Sequence, residues 1–438
     1  MTITYALLER LEEIEKQTGG KTARILTKAK ATKLITKDGK VIGLEYEKDG
    51  KTHKEEGLVI ICSGGFAADF ADDSLLKKFR PELCHLPTTN GSHCSGDGIK
   101  MAMGAGGATC FMEWVQVHPT GLVNPADPNA KVKFLAAEAL RGAGGIILDS
   151  NGKRFCDELG RRDYVTGEMN KNKGPFRLIL NSKAAKEIEW HCKHYAGRKL
   201  MKHFKSGAEV AKEIGCSADT LKTTFDMYNE CAKKSTDEYG KKFFANTPCV
   251  MDEEYYVSIV TPVLHYTMGG ISISEDAEVI DANNKPVPGV FAAGEVTGGV
   301  HGKNRLGGNA LLECVVIGRV AGRSAAQYLL RSAISSITPN RLSNSLNRLT
   351  TVRNHLKQSQ DREFTKDEVS RHNKDGDCWI ILWDEVYDVT SFMNDHPGGK
   401  DSILEYGGKD GTDTFDLIHQ DTVLKRYGPG LRIGKLKK

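Results

Sequence analysis

The segment AAGEVTGGVHGKNRLGGNALLE (292–313) places six glycines in twenty-two residues and then runs into ALLECVVIGRVAGRSAAQYLL. Glycine at that density excludes a regular strand or helix and allows the backbone to pass close to other groups. The apolar run behind it predicts a helix starting near Asn309. A loop that carries a His and an Arg among such glycines suits a ligand better than a core. Across the chain Gly (46) far outnumbers Pro (13) at 39% hydrophobic content, which fits an α/β protein with ligand-facing loops.

The length of 438 residues allows two to four domains. With 61 basic and 57 acidic residues the net charge is +4, so composition points to neither nucleic acid nor a membrane surface. Eleven cysteines without a CxxC pair read as reduced thiols in a reducing compartment, cytoplasmic or mitochondrial. No apolar run approaches the roughly 18 residues of a membrane span. The opening MTITYALLERLEEIEKQTGG reads as an amphipathic helix closed by Gly19–Gly20, not as a secretory leader. The final KLKK reads as a solvated tail.

Residues 23–66 read as strands broken at two Asp-Gly turns and ending in the buried strand GLVIICSGG. Glycine-rich turns alternate with short apolar segments from 97 to about 170, and 180–250 is mostly helical. Strand character returns over 255–300, and a Ser-, Asn- and Arg-rich linker is expected at 331–363. The expected parts are a cofactor-binding portion (1–110 and 255–330), a capping portion (111–254) and a small unit at 364–438.

In that small unit, His396 opens an HPGG turn and His419 follows 23 residues later. Pro397 fixes the turn, and Gly398–Gly399 remove the Cβ atoms that would hold a porphyrin edge away. Two imidazoles as axial ligands leave haem iron no open position, so the chemistry is electron transfer. Val389, Phe392, Ile403, Leu404, Phe415 and Leu424 are candidate pocket walls. The blocks DCWIIL, VYDVTSF, HPGG and GGKDGTDTF stand in the order of the cytochrome b5 family, which residues 364 to about 436 resemble. That resemblance implies haem b held by His396 and His419. Trp383–Asp384–Glu385 departs from the family's usual turn, Tyr406 stands where Ala is usual, and His372 reads as structural.

Four motifs stand out in the larger part: VHPTG (117–121), AAEALRGAGG (136–145), GKRFCDELGRRD (152–163), and LHYTMGG (264–270) with the glycine-rich segment. As residue types they set His, Arg and Glu on glycine-rich loops, which suits a small anionic substrate, since Arg binds carboxylates bidentately. In order and spacing they resemble the fumarate reductase flavoproteins of the soluble branch, over roughly residues 1–330. The resemblance implies an α/β fold with a partial Rossmann-like FAD domain and an inserted α+β cap. It also implies FAD as cofactor and fumarate or succinate as substrate. His265 and Arg305, with the Gly308 backbone, would hold one carboxylate, and His118 with Ala137 and Glu138 the other. Arg162 would protonate the substrate carbon, resupplied through Glu138 and Arg141. Ala137 stands where the family often has Thr or Ser, so the backbone N–H is left to serve. For the flavin the implied contacts are Ala31, Asp97, Glu295 and the helix start Asn309, Ala310, Leu311, whose positive end faces an anionic ring edge.

No GxGxxG βαβ unit occurs. A second function therefore stands beside fumarate reduction with a flavin reductase as electron donor: a haem electron carrier whose flavoprotein part is inactive. A reductase of another enoate is the variant within the enzyme class. Cys84, His85, His93 and Cys94 carry zinc-ligating types, but neighbours in an extended chain point opposite ways, and the stretch reads as a connection.

Overall fold

The computed structural model describes residues 2–335, 362–396, 398–419, 423–424, 428 and 430–437, which divide into Met1–Leu329 and Leu330–Lys438. Most of the expected linker and Pro397 of the HPGG turn lie outside the described residues. The helix Asn309–Ser335 continues past the expected linker start at 331.

The two Asp-Gly turns form as their chemistry requires. Asp38 and Gly39 have φ of 52° and 74°, and Asp49 and Gly50 have 51° and 72°. A two-residue hairpin needs positive φ at both positions. The strands Lys30–Lys37, Lys40–Lys48 and Lys51–Glu56 thus form an antiparallel meander behind the helix Thr2–Thr18. Val41 is fully buried under Gly289, where a Cβ would overlap the Val41 carbonyl.

The strand Val59–Ile61 pairs in parallel with Pro286–Ala292, which also pairs with Glu278–Ile280. It was expected to be buried throughout, but Ile60 is 39% exposed while Val59 and Ile61 are buried. The physical reason is its place at the edge of this sheet: among the described residues it pairs on one side only and covers one face.

The second sheet is antiparallel and six-stranded. Its main order is Phe134–Leu135, Val115–Leu122, Tyr255–Thr267, Phe176–Asn181, Ile146–Leu148, with Lys202–Phe204 also on the long strand. Residues 255–267, assigned on sequence to the cofactor-binding portion, form the central strand of this sheet, between Val115–Leu122 and Phe176–Asn181. The helices Ser182–Glu187, Glu189–Gly197, Gly207–Ile214 and Ala218–Lys234 account for the expected helical stretch.

In Leu330–Lys438 a five-stranded sheet carries apolar residues on both faces. Along Asp377–Leu382, Cys378, Ile380 and Leu382 join Val389, Met393 and Ile403 in one core, while Ile381 joins Phe364, Val369 and Val386 in another. The helices Lys400–Leu404 and Thr412–Ile418 sit on the side of the first core. Among the described residues no helix is long and apolar enough to cross a membrane.

Candidate functional site

His118 and His265 come from adjacent strands of the six-stranded sheet. Leu264 pairs with Val117 and Tyr266 with Gln116, so His265 is the extra residue of a β-bulge. A bulge turns one side chain away from the regular alternation. Here it brings the two imidazoles to 5.1 Å between ring centres, edge to face.

Their hydrogen bonds fix their tautomers. Arg305 Nη2 donates to His265 Nε2 (3.2 Å), so His265 Nδ1 carries its proton and donates to Thr89 Oγ1 (2.8 Å). His118 Nδ1 accepts from the Thr120 N–H (3.3 Å), which leaves a proton on Nε2. That Nε2 is buried, has no hydrogen-bond partner among the described residues, and lies 3.8 Å from Glu138 Oε1. Burial holds both imidazoles neutral: His118 falls well below its ordinary value, helped by His265 and three arginines, and His265 is pushed down to about 3. Both are neutral, not the cations that a charge-assisted bond would need: His118 keeps an Nε2–H to donate, whereas the single N–H of His265 is spent on Thr89 and its Nε2 orients Arg305.

The arginines supply the charge. Arg162, first residue of the helix Arg162–Lys171, donates from Nε to Glu138 Oε1 (2.7 Å) and from Nη1 to Gln116 Oε1. Arg141 Nη2 reaches the same Glu138 oxygen (3.4 Å), and its Nη1 is held by the Glu158 carbonyl (2.7 Å). The hydrogen bond from Arg162 keeps the Glu138 carboxyl below its usual range. Arg305 lies over the Tyr266 ring at 4.5 Å, with its Nε buried and unpartnered. Gly307 allows the loop to close, since a Cβ there would overlap Glu138 Oε2. Gly308 has φ of 81° with open space where a Cβ would stand.

The structure thus brings together His118, Glu138, Arg141, Arg162, His265 and Arg305. Ala137 is different: its N–H donates to Tyr195 Oη (3.0 Å), so the donor left for a substrate carboxylate is already engaged. Sequence reasoning missed Gln116, which accepts from Arg162 and donates to the Arg305 carbonyl (2.8 Å) and to Asn304 (2.6 Å). Strand alternation was the available signal, because Gln116 stands two residues before His118 on the same strand. Thr89 and Tyr195 carried no such signal.

Of the cofactor positions, Ala31 and Asp97 line one cavity of about 420 Å³ with Thr32, Lys100, Met101 and Gly104. Glu295 and the residues Asn309, Ala310 and Leu311 lie outside that lining. Glu295 is half-buried, accepts from the Thr267 N–H (2.9 Å), and desolvation pushes its carboxyl up to about 7. Gly65 passes so close that a Cβ would overlap Thr267 Oγ1. A half-buried carboxyl to accept from hydroxyls, a backbone with no room for a Cβ and the start of a long helix fit a flavin.

In the smaller unit, the rings of His396 and His419 stand 5.9 Å apart between centres, inclined by 50°. His419 Nδ1 is buried without a hydrogen-bond partner among the described residues, Phe415 stacks on the His419 ring, and Phe392 lies 5.9 Å from His396 between ring centres. Facing imidazoles flanked by aromatic rings fit haem. Among the described residues no group of three or more His, Cys, Asp or Glu could hold a metal ion.

One site suited to flavin and one suited to haem define a redox protein. The chain belongs to the FAD binding domain family, which matches residues 2–311, and a cytochrome b5-like heme/steroid binding domain matches 365–437. FAD and haem are the corresponding cofactors. A fumarate reductase of Schizosaccharomyces pombe is 49% identical over 72% of this chain and 62% of its own length. Fumarate reductase 1 of Saccharomyces cerevisiae is 36% identical over 74% of this chain and 70% of its own. The open conformation of a flavocytochrome c3 fumarate reductase superposes with a TM-score of 0.57 at 30% identity, over 71% of this chain and 54% of that one. The chain thus spans about three fifths of the Schizosaccharomyces pombe relative.

Proposed function

We propose that this chain reduces fumarate to succinate in a flavin-dependent reaction, with electrons relayed through haem b between His396 and His419. One observation carries the proposal: Arg141 and Arg162 hold one carboxylate, Glu138, and a third guanidinium, Arg305, acts on its charge from beside two neutral imidazoles. The excess of two positive charges matches a dicarboxylate dianion.

Arg305, oriented by His265 Nε2 and with the Gly308 backbone, takes one carboxylate. His118, through its unclaimed Nε2–H, takes the other beside Ala137 and Glu138. FAD, when bound and reduced, supplies the hydride, and Glu295, Ala31, Asp97 and the helix start at Asn309–Leu311 are its assigned contacts. Arg162 stabilises negative charge at the carbon that will take the proton. Arg141, Glu138 and Arg162 form a continuous hydrogen-bonded line along which that proton is resupplied. An arginine parts with a proton only to a strongly basic acceptor, and a developing carbanion is one. The proposed electron donor is a flavin reductase acting through the haem. The eleven unpaired cysteines support a reducing compartment, cytoplasmic or mitochondrial.

The test is a spectrum and a reoxidation assay on the purified full chain supplied with FAD and haem. Flavin and haem absorbance, with fumarate reoxidising the reduced protein, is the expected result, and Arg162→Ala should keep both cofactors and lose the reoxidation. Haem without flavin, and no response to fumarate, would overturn it in favour of an electron carrier.

A further inference from the structure

The turn joining Asp377–Leu382 to Glu385–Asp388 consists of Trp383 and Asp384, both left-handed, with φ of 48° and 61°. Such a turn suits Asn-Gly, whereas a bulky side chain at positive φ is sterically strained. Strain of this kind persists only where surroundings hold it. Three contacts hold Trp383 to the helix Thr412–Ile418. Its N–H donates to Thr412 Oγ1 (3.0 Å), its indole Nε1–H to Asp416 Oδ2 (3.3 Å), and its ring meets Phe415 edge to face at 5.5 Å. Phe415 in turn stacks on His419, 4.5 Å between ring centres and 20° from parallel.

The two facing histidines are oriented by different means. A metal-bound imidazole is normally fixed by a hydrogen bond at its other ring nitrogen. His396 Nδ1 has such neighbours, the Gly399 carbonyl and Ser402 Oγ, each at 3.2 Å. His419 Nδ1 has no hydrogen-bond partner among the described residues. The plane of the His419 ring is therefore left to packing on Phe415, and Phe415 is braced by Trp383.

We infer that Trp383 is a positioning residue for the haem ligand His419, acting through Phe415 to fix the plane of the imidazole. An axial ligand's setting governs both how firmly haem is held and its reduction potential. A glycine at 383 would relieve the left-handed strain and remove the brace, so local stability and ligand orientation are separable in one variant.

The experiment uses the full chain loaded with haem. In Trp383→Gly the unit should melt no lower than wild type, yet lose haem to apomyoglobin about tenfold faster and show altered ferric EPR g-anisotropy. Trp383→Phe, which keeps a ring against Phe415, should restore both readouts. Phe415→Leu should reproduce the Trp383→Gly changes, and the double variant should add nothing further. Unchanged haem loss and EPR signal in Trp383→Gly would overturn the inference, as would full additivity in the double variant.

Discussion

The segment GKRFCDELGRRD contributes to two buried charge clusters that are assembled in opposite ways. In the first, Arg154 holds Glu158 (2.8 and 3.0 Å) and Asp237 (3.1 and 3.2 Å), and Lys241 holds Glu158 (2.9 Å). Two cations meet two anions, and none of the four leaves a buried nitrogen or oxygen without a partner. In the second, eight residues along, Arg162 and Arg141 share Glu138 with Arg305 nearby on His265, and His118 Nε2, Arg141 Nε and Arg305 Nε are buried and unclaimed among the described residues. A complete network holds structure; an unbalanced one with free donors is poised for an anion. The two meet at Glu158, whose carbonyl anchors Arg141.

This contrast predicts that single substitutions split between stability and activity. Glu158→Gln leaves Arg154 and Lys241 buried with part of their compensation gone, and should cost about 3–5 kcal/mol of stability. Thermal or urea unfolding checks it; a loss under 1 kcal/mol would break the comparison. Arg162→Lys, in the unbalanced cluster, should barely change unfolding, because it relieves crowding among guanidiniums. It should lower kcat for fumarate about 10²–10³-fold, the effect of losing an aligned donor from a transition state, since Lys keeps the charge but not the planar guanidinium.

Much of the second cluster is legible in the chain, since VHPTG, GRRD, HYTMGG and KNRLGG each present one of its side chains and EALRG presents two. The meander is legible for the same local reason: Asp38–Gly39 and Asp49–Gly50 dictate their own turns. What distinguishes the two clusters is not. Asp237 and Lys241 stand 83 residues from Arg154 and Glu158, and Thr89 stands 176 from His265. Only the sheet pairing of 115–122 with 255–267 shows that His265 sits in a bulge against His118. Tertiary closure, not local pattern, decides whether a buried Arg is neutralised or left for a ligand.

The neutral histidines give the contrast a pH signature. His265 has its pKa depressed to about 3 in the folded chain, against an ordinary value of about 6.5. Between those limits the unfolded chain binds a proton there and the folded chain does not. This group's contribution to stability is therefore full above pH ~6.5 and is lost as pH falls, by about 1.4 kcal/mol per unit at the steepest. His265→Gln should flatten that acid limb in urea titrations at pH 7 and pH 5. The neutral Arg154 network should show no matching change when Lys241→Met is compared at the same two pH values.

The smallest expected effect decides how the chamber manages without a hydroxyl at Ala137. Tyr195 Oη accepts the Ala137 N–H at 3.0 Å, and its own hydrogen donates to nothing among the described residues. Burial raises its pKa, so the hydroxyl stays protonated and able to donate. If that hydroxyl serves the carboxylate beside Ala137, Tyr195→Phe removes one neutral hydrogen bond, worth about 1 kcal/mol. The KM for fumarate should then rise about fivefold with kcat unchanged, the mark of binding shared by ground and transition states. The opposite sign is equally readable. A lower KM in Tyr195→Phe would mean that the released Ala137 N–H is the better donor and that Tyr195 restrains the site.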